Sequence, residues 1–244
     1  MDADKNAFWL MKDFRRAIRE FGMLRPGDRV AVAVSGGKDS LTLLNLLRLL
    51  QQDPREQIEL VAIHVIGDSR GALEHPHLPL VEHLAQSVVH YAVVPLRLPE
   101  GEPLPLNCHR CSWNRRRTLF EAAREQGCSV IALGHHADDM AQTTLLNLLY
   151  HGKVEAIAPV REYFGGEIRV IRPLCLLEES EIRRYARTAG FPEPPPACPQ
   201  EDHSRRQMVR NWLRETGRDA RRIKANLMQA GLRGLAEGSP GEES

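Results

Sequence analysis

Long apolar runs are missing from this 244-residue sequence. Nothing in it approaches the ~18 uninterrupted apolar residues of a membrane span, so no membrane partner is expected. The opening Met1-Asp2-Ala3-Asp4-Lys5 lacks the basic and then apolar regions of a signal peptide, and a cytoplasmic location is expected. There are five cysteines, an odd number, and in a reducing compartment they do not describe a disulfide framework. Excess charge is lacking too: the net charge of +1 excludes a polycation that binds nucleic acid over its whole surface. No internal repeat is visible. A hydrophobic share of 42% is enough for the core of one sizeable α/β domain with a small appendage.

Residues 4–22 read as an amphipathic helix, with Phe8, Met11, Phe14, Ile18 and Phe21 at helical spacing. Val30-Ala31-Val32-Ala33-Val34 is a continuous run of the kind buried on both faces of a parallel sheet. The leucine-rich segment 41–50 then reads as a helix packed on that sheet. Further strands are expected at 60–65, 91–94, 130–133 and 168–171, separated by helices at 77–88, 112–126 and 138–150, with another at 178–189. Alternation of this kind specifies a doubly wound, parallel, five-stranded α/β sheet. The expected organisation is an N-terminal helix in 1–27, the sheet domain in 28–190, a cysteine loop with basic helices in 191–237, and a disordered tail in 238–244.

Ser35-Gly36-Gly37-Lys38-Asp39-Ser40 follows the first strand, at the sheet edge where such folds bind ligands. Gly36 and Gly37 let several backbone N–H groups turn toward one anion, and the next helix adds its partial positive end. Lys38 supplies a mobile charge, and Ser35 and Ser40 supply hydroxyl donors. Asp39 would repel a phosphate, so its expected role is to hold a Mg²⁺ shared with the phosphates. Two better-known phosphate motifs are absent. Lys38 is followed by an aspartate, which breaks the Walker A pattern, and no G-x-G-x-x-G occurs in this loop. The six residues resemble the PP-loop of ATP pyrophosphatases, which cleave ATP between its α- and β-phosphates.

Gly134-His135-His136-Ala137-Asp138-Asp139 follows the fourth strand and should reach the same edge. Its paired carboxylates suit Mg²⁺ or a helix cap. The histidines suit nucleotide contact or a local hydrogen bond. Cys108-His109-Arg110-Cys111 is expected in a loop before a helix, and by itself fits zinc, a redox dithiol or an iron–sulfur pair. Cys128 and Cys175 read as packing thiols. Cys198, between a proline run and a basic helix, does not. Three thiolates leave a tetrahedral zinc site open, whereas a [4Fe–4S] cluster held by three cysteines keeps one iron available.

Together these features resemble the tRNA 2-thiocytidine synthetase family and its thiouridine relatives. The resemblance runs from about residue 8 to 214. It rests on residues 35–40, on Cys108 to Arg117, on Gly134 to Thr143, on Tyr150 to Lys153, on Val170 to Leu174, and on Cys198 followed by Arg206 to Val209. It implies an adenine nucleotide α-hydrolase-like fold and an ATP-dependent sulfurtransferase that adenylates a base carbonyl, expected to be cytidine 32 of tRNA, and replaces its oxygen with sulfur. It further implies a [4Fe–4S] cluster on Cys108, Cys111 and Cys198, and a Mg²⁺ on Asp39 with Asp139. ATP would lie on residues 35–40, Gly134, His135 and Asp139, with Lys38, Asp39, Asp138 and Asp139 in catalysis beside the three cysteines. Arg115, Arg116, Arg117, Arg206 and Arg210 would hold tRNA phosphates, a sulfur donor (a cysteine desulfurase or sulfide) would be required, and a homodimer is expected. The competing readings are a PP-loop ligase or amidotransferase acting on RNA with a structural metal site, and a non-catalytic iron–sulfur or RNA-binding scaffold.

Overall fold

The computed structural model describes residues 3–72, 75–87, 89–196 and 205–237. Cys198 and the tail 238–244 lie outside the described residues. Six strands form one sheet: β1 (Arg29–Ala33), β2 (Glu59–Ile66), β3 (His90–Pro95), β4 (Val130–Ala132), β5 (Val160–Tyr163) and β6 (Ile168–Ile171), in the order β3-β2-β1-β4-β6-β5. Five of them coincide with the expected runs and pair in parallel. The sixth, β5, pairs antiparallel with β6 at the edge, so the expected five-stranded parallel sheet is corrected to six strands with an antiparallel border. Val160-Arg161-Glu162-Tyr163 carries no apolar run, because an edge strand can leave its charged residues in water.

Eight helices surround this sheet among the described residues: α1 (Ala3–Glu20), α2 (Lys38–Gln51), α3 (Leu78–Gln86), α4 (Cys108–Glu125), α5 (Ala137–His151), α6 (Glu179–Ala186), α7 (Arg205–Glu215) and α8 (Ala220–Glu237). Alternate residues of β1 feed two cores. Val30 and Val32 join Phe14 of α1 and Leu43 and Leu47 of α2 on one face. Ala31 joins Leu119, Ala122 and Ala123 of α4 on the other. Burial on both faces explains why the strand shows no polar alternation. In α2, Leu41, Leu43, Leu44, Leu46, Leu47 and Leu50 are all fully buried. Each such leucine contributes about 1.5–3 kcal/mol relative to an exposed one, which fixes the helix and the loop at its N-terminus.

The basic C-terminal region is two helices joined by a short 3₁₀ turn, Gly217–Asp219. Both pack on α5, where Val209 and Leu213 of α7 meet Leu145. The approach of α8 is so close that glycine is required. A Cβ on Gly231 would stand 2.1 Å from Thr144 Oγ1, and one on Gly234 would stand 1.7 Å from the Val154 carbonyl oxygen. This seam carries α8 across to the edge of the sheet where the strands end.

Candidate active site

The sheet reverses its winding between β1 and β4, and the loops that leave these two strands converge there. The first runs from Ser35 to the start of α2 at Lys38. Its hydroxyls brace the loop itself. Ser40 Oγ donates to the Gly37 carbonyl at 2.9 Å and accepts from Ser35 N at 3.2 Å, while the two hydroxyls lie 3.2 Å apart. Gly36, at φ +89°, holds the turn that a side chain would strain.

The second loop touches the first. A Cβ on Gly134 would lie 3.2 Å from the Asp39 carbonyl carbon and from Ser40 N, so the backbone of one motif rests on the other. Asp139 then closes a capping box at the N-terminus of α5, its Oδ2 accepting from His136 N at 3.0 Å. The cap residue is therefore His136, not either aspartate. His136 Nε2 lies 3.9 Å from Asp39 Oδ1. Burial pushes the half-buried His135 imidazole down to about 4, against the opposing pull of Asp139, so it is neutral at physiological pH.

Lys38 reaches three carboxylate oxygens: both of Asp39, at 3.0 and 2.9 Å, and Glu179 Oε1 at 3.1 Å. Desolvation works against its charge, but these two carboxylates outweigh it and raise its pKa. Burial likewise works against the Glu179 carboxylate, yet Arg183 and Lys38 hold it down to about 2. Asp138 is committed elsewhere, accepting from Glu179 N at 2.8 Å and from Lys224 Nζ at 2.6 Å. It supports the start of α6 and the docking of α8, which leaves Asp39 and Asp139 as the carboxylates free of such a tie to another helix. No group of three His, Cys, Asp or Glu side chains is arranged to hold a metal among the described residues. Two carboxylates can complete a Mg²⁺ site only with oxygens from phosphates and water, which is how this ion is commonly held.

Sequence reasoning missed Glu179 and Lys224. Glu179 had a usable signal: α6 follows β6, so its N-terminus had to return to this edge. Lys224 is visible in the sequence only as one of the basic residues of the C-terminal helical region, and the tertiary path of α8 brings it to Asp138.

The cysteine pair also departs from expectation. Cys108 and Cys111 lie within the first turn of α4 rather than in a loop, because Asn107 caps the helix by accepting from Arg110 N at 2.9 Å. Their i, i+3 spacing puts both thiols on one face at a helix N-terminus. Glu102 pairs with Arg110 and ties the preceding loop to this turn. Arg115 is half-buried and its guanidinium is engaged within the fold: it donates to the Val65 carbonyl at 3.1 Å and the Gly67 carbonyl at 2.5 Å, fastening α4 to the end of β2. Arg116 and Arg117 are exposed, as are Arg206 and Arg210. Finally, the proline run lies across the nucleotide loop. Pro195 Cδ occupies a point 2.6 Å from where a Gly36 Cβ would stand, and the Glu193 carbonyl lies 2.7 Å from His77 Nε2.

A PP-loop domain model matches residues 10–216. The tRNA-cytidine(32) 2-sulfurtransferase of Alkalilimnicola ehrlichii is 40% identical over 223 residues, covering 88% of this chain and 69% of that protein. The chain belongs to the tRNA-cytidine(32) 2-sulfurtransferase family of PP-loop enzymes. Another member of this family of sulfurtransferases, from Anaeromyxobacter dehalogenans, is 37% identical over 233 residues, covering 91% of this chain and 77% of its own length. Among solved structures, the U34-tRNA thiolase NcsA from Methanococcus maripaludis, determined with its [4Fe–4S] cluster, superimposes with a TM-score of 0.73 at 23% identity, over 96% of this chain and 81% of that one. An NAD⁺ synthetase from Burkholderia pseudomallei gives a TM-score of 0.50 at 15% identity, over 98% of this chain and 90% of that one. At such identities the likeness is one of fold, and it fits the two loops meeting at the switch point of the sulfurtransferase sheet.

Proposed function

We propose that this protein uses ATP to activate a carbonyl of a tRNA base, at cytidine 32 as in its named relatives, and replaces that oxygen with sulfur. The base oxygen attacks the α-phosphorus of ATP, the bond to pyrophosphate breaks, and a base–AMP ester results. Lys38 and the N–H groups of residues 36–38 stabilise the charge that passes to pyrophosphate. For this, Lys38 exchanges its carboxylate partners for phosphate oxygens. Asp39 and Asp139 are the residues that would hold a Mg²⁺, which when bound would supply positive charge against the phosphates, and neutral His135 offers a ring N–H to the nucleotide. A sulfur nucleophile, supplied by a cysteine desulfurase or as sulfide, then attacks the activated carbon, and AMP leaves. With sulfide as the donor no net oxidation or reduction is needed; persulfide sulfur from a desulfurase requires in addition two electrons from a thiol reductant, which leaves as its disulfide.

Cys108, Cys111 and Cys198 are the ligands for a [4Fe–4S] cluster, which when bound would supply an iron position open to sulfur. The observation that carries this reading is the contact of Pro195 with Gly36, because it lays the chain three residues before Cys198 directly on the nucleotide loop. The chain's own contribution is to hold Cys108 and Cys111 together at the start of α4, which Arg115 fastens to the end of β2. Arg116, Arg117, Arg206 and Arg210 contact tRNA phosphates, which position the RNA without reading its sequence.

The test is nucleoside mass spectrometry of tRNA from cells lacking the protein, complemented with wild type or with Cys108→Ser, Cys198→Ser or Asp39→Ala. Wild type should restore a 2-thiolated cytidine and the variants should not, while Cys108→Ser still binds ATP. Unaltered tRNA thiolation in the deletion strain would remove the proposal. Anaerobically purified protein that is colourless and holds zinc instead of iron would remove the cluster.

A further inference from the structure

Beside the nucleotide loop the C-terminal helices enclose a cleft of about 960 Å³ between α6, α7 and α8. Its walls carry eight arginine and lysine side chains against three carboxylates. All three carboxylates are already matched: Asp138 by Lys224, Glu178 by Arg221 at 2.7 Å, and Glu179 by Lys38 and by Arg183 at 2.8 Å. Arg184 of α6 and Arg187 at its C-cap, Arg210 of α7 and Arg218 of the connecting turn have no carboxylate partner among the described residues, and all four are exposed. The excess positive charge is therefore available to a ligand.

The charge is arranged in rows. Arg183 and Arg187 are one turn apart at the end of α6 and its C-cap, as are Arg210 and Arg214 on α7 and Arg221 and Lys224 on α8, and Arg183, Arg221 and Lys224 are the members matched by carboxylates. The unmatched arginines, Arg184 and Arg187 on one wall and Arg210, Arg214 and Arg218 on the other, are spread along the groove, which suits a chain of phosphates better than a single anion. No aromatic side chain lines the cleft among the described residues, so it offers no platform on which to stack an unpaired base. Gln142, buried at 3% exposure, forms part of the lining, and its Oε1 has no hydrogen-bond partner among the described residues. A ribose 2′-hydroxyl can donate to such an acceptor.

Resting on the sulfurtransferase reading above, we infer that this cleft seats the sugar–phosphate backbone of a helical RNA stem, with Arg184 of α6 and Arg187 at its C-cap among the phosphate contacts. The target base then enters the nucleotide site from the adjoining loop. Lys224 marks the passage between the two, since it lines the cleft and bonds Asp138 beside the nucleotide loop. This assigns RNA contacts to α6, whose arginines stand apart in sequence from the C-terminal basic helices.

The experiment compares the full-length wild-type chain with Arg184→Ala/Arg187→Ala. Binding is measured across a salt series to a tRNA transcript, to its anticodon stem-loop, and to a single-stranded oligonucleotide of the loop alone. Both replaced side chains are solvent-exposed, so the fold should be kept. The double variant should bind tRNA and stem-loop about tenfold or more weakly. Its plot of log K against log salt should be shallower by about 1.8, the value for two lost duplex phosphate contacts. Binding of the single-stranded loop and of ATP should stay near wild type. Unchanged tRNA affinity and slope would overturn the inference. So would an equal loss for the single strand, or a loss confined to ATP or pyrophosphate, which would mark the cleft as a small-anion site. Thiolation by the wild-type chain is read separately, so a chain that binds stems here without transferring sulfur would sink the proposed function and leave the cleft standing.

Discussion

Lys224 Nζ lies 2.6 Å from Asp138 Oδ1 and joins the C-terminal helix to the floor of the nucleotide site. Asp138 is buried, and its other oxygen takes the N–H of Glu179, whose side chain holds Lys38. Four residues from four helices are thereby linked from the basic cleft to the phosphate loop. Lys224→Met leaves a buried carboxylate without its cation and should destabilise the fold by about 1–3 kcal/mol. Combining it with Asp138→Asn should cost less than the sum of the two single changes. Urea denaturation of all three variants measures this. Additive losses would mean that the pair does not act as a unit.

Lys38 is paired with Asp39 and Glu179. Lys38→Met should reduce tRNA-dependent pyrophosphate release by about 10²–10³-fold, the usual effect of removing one charge-stabilising donor. Pyrophosphate release near the wild-type rate would show that the loop N–H groups suffice.

Gly234 offers a test whose sign is unusual. Alanine normally stabilises a helix interior by about 1 kcal/mol over glycine. Here its Cβ would stand 1.7 Å from the Val154 carbonyl oxygen, so α8 must lift away from the 152–156 turn. Gly234→Ala should therefore destabilise, by about 1–3 kcal/mol, and speed amide hydrogen exchange in α8. A stabilised variant would contradict the close approach.

Burial pushes the Cys175 thiol up to about 12 and also raises that of Cys128. Neither forms appreciable thiolate at pH 8, so both should resist iodoacetamide in the native protein, whereas Cys108 is exposed on α4 and should be alkylated in apo protein. Peptide mass spectrometry resolves the sites, and rapid labelling of Cys175 would show that this core opens.

His135 titrates at about 4 when folded and near 6.5 when unfolded. The unfolded chain thus binds the extra proton first. The contribution of His135 to stability is complete above about 6.5 and is lost as the pH falls toward 4. His135→Gln should flatten the decline in melting temperature across that interval, and an identical decline in both proteins would refute the assignment.

The nucleotide loop was legible in the sequence because its chemistry is local. Six contiguous residues after a buried run define both the phosphate cradle and its place on the sheet. The five parallel strands were legible for a similar reason, since burial on both faces demands unbroken apolar runs. β5 was not, because an edge strand need bury little, and Val-Arg-Glu-Tyr shows no period. The start of α4 was misplaced because Cys-His-Arg-Cys carries no apolar signal, and a single cap at Asn107 decided the boundary. Arg115 looked like its neighbours Arg116 and Arg117, yet helical rotation turns it alone toward the carbonyls of Val65 and Gly67.

The sequence by itself determined which residues have phosphate and thiolate chemistry, since that depends on residue type and short spacing. Tertiary structure alone decided which of them meet. It set Gly134 on Asp39, Pro195 on Gly36, and Lys224 and Glu179 around Asp138. Such contacts arise when the two cores pack and close-approach glycines let distant segments touch, and no local pattern encodes which segments those are.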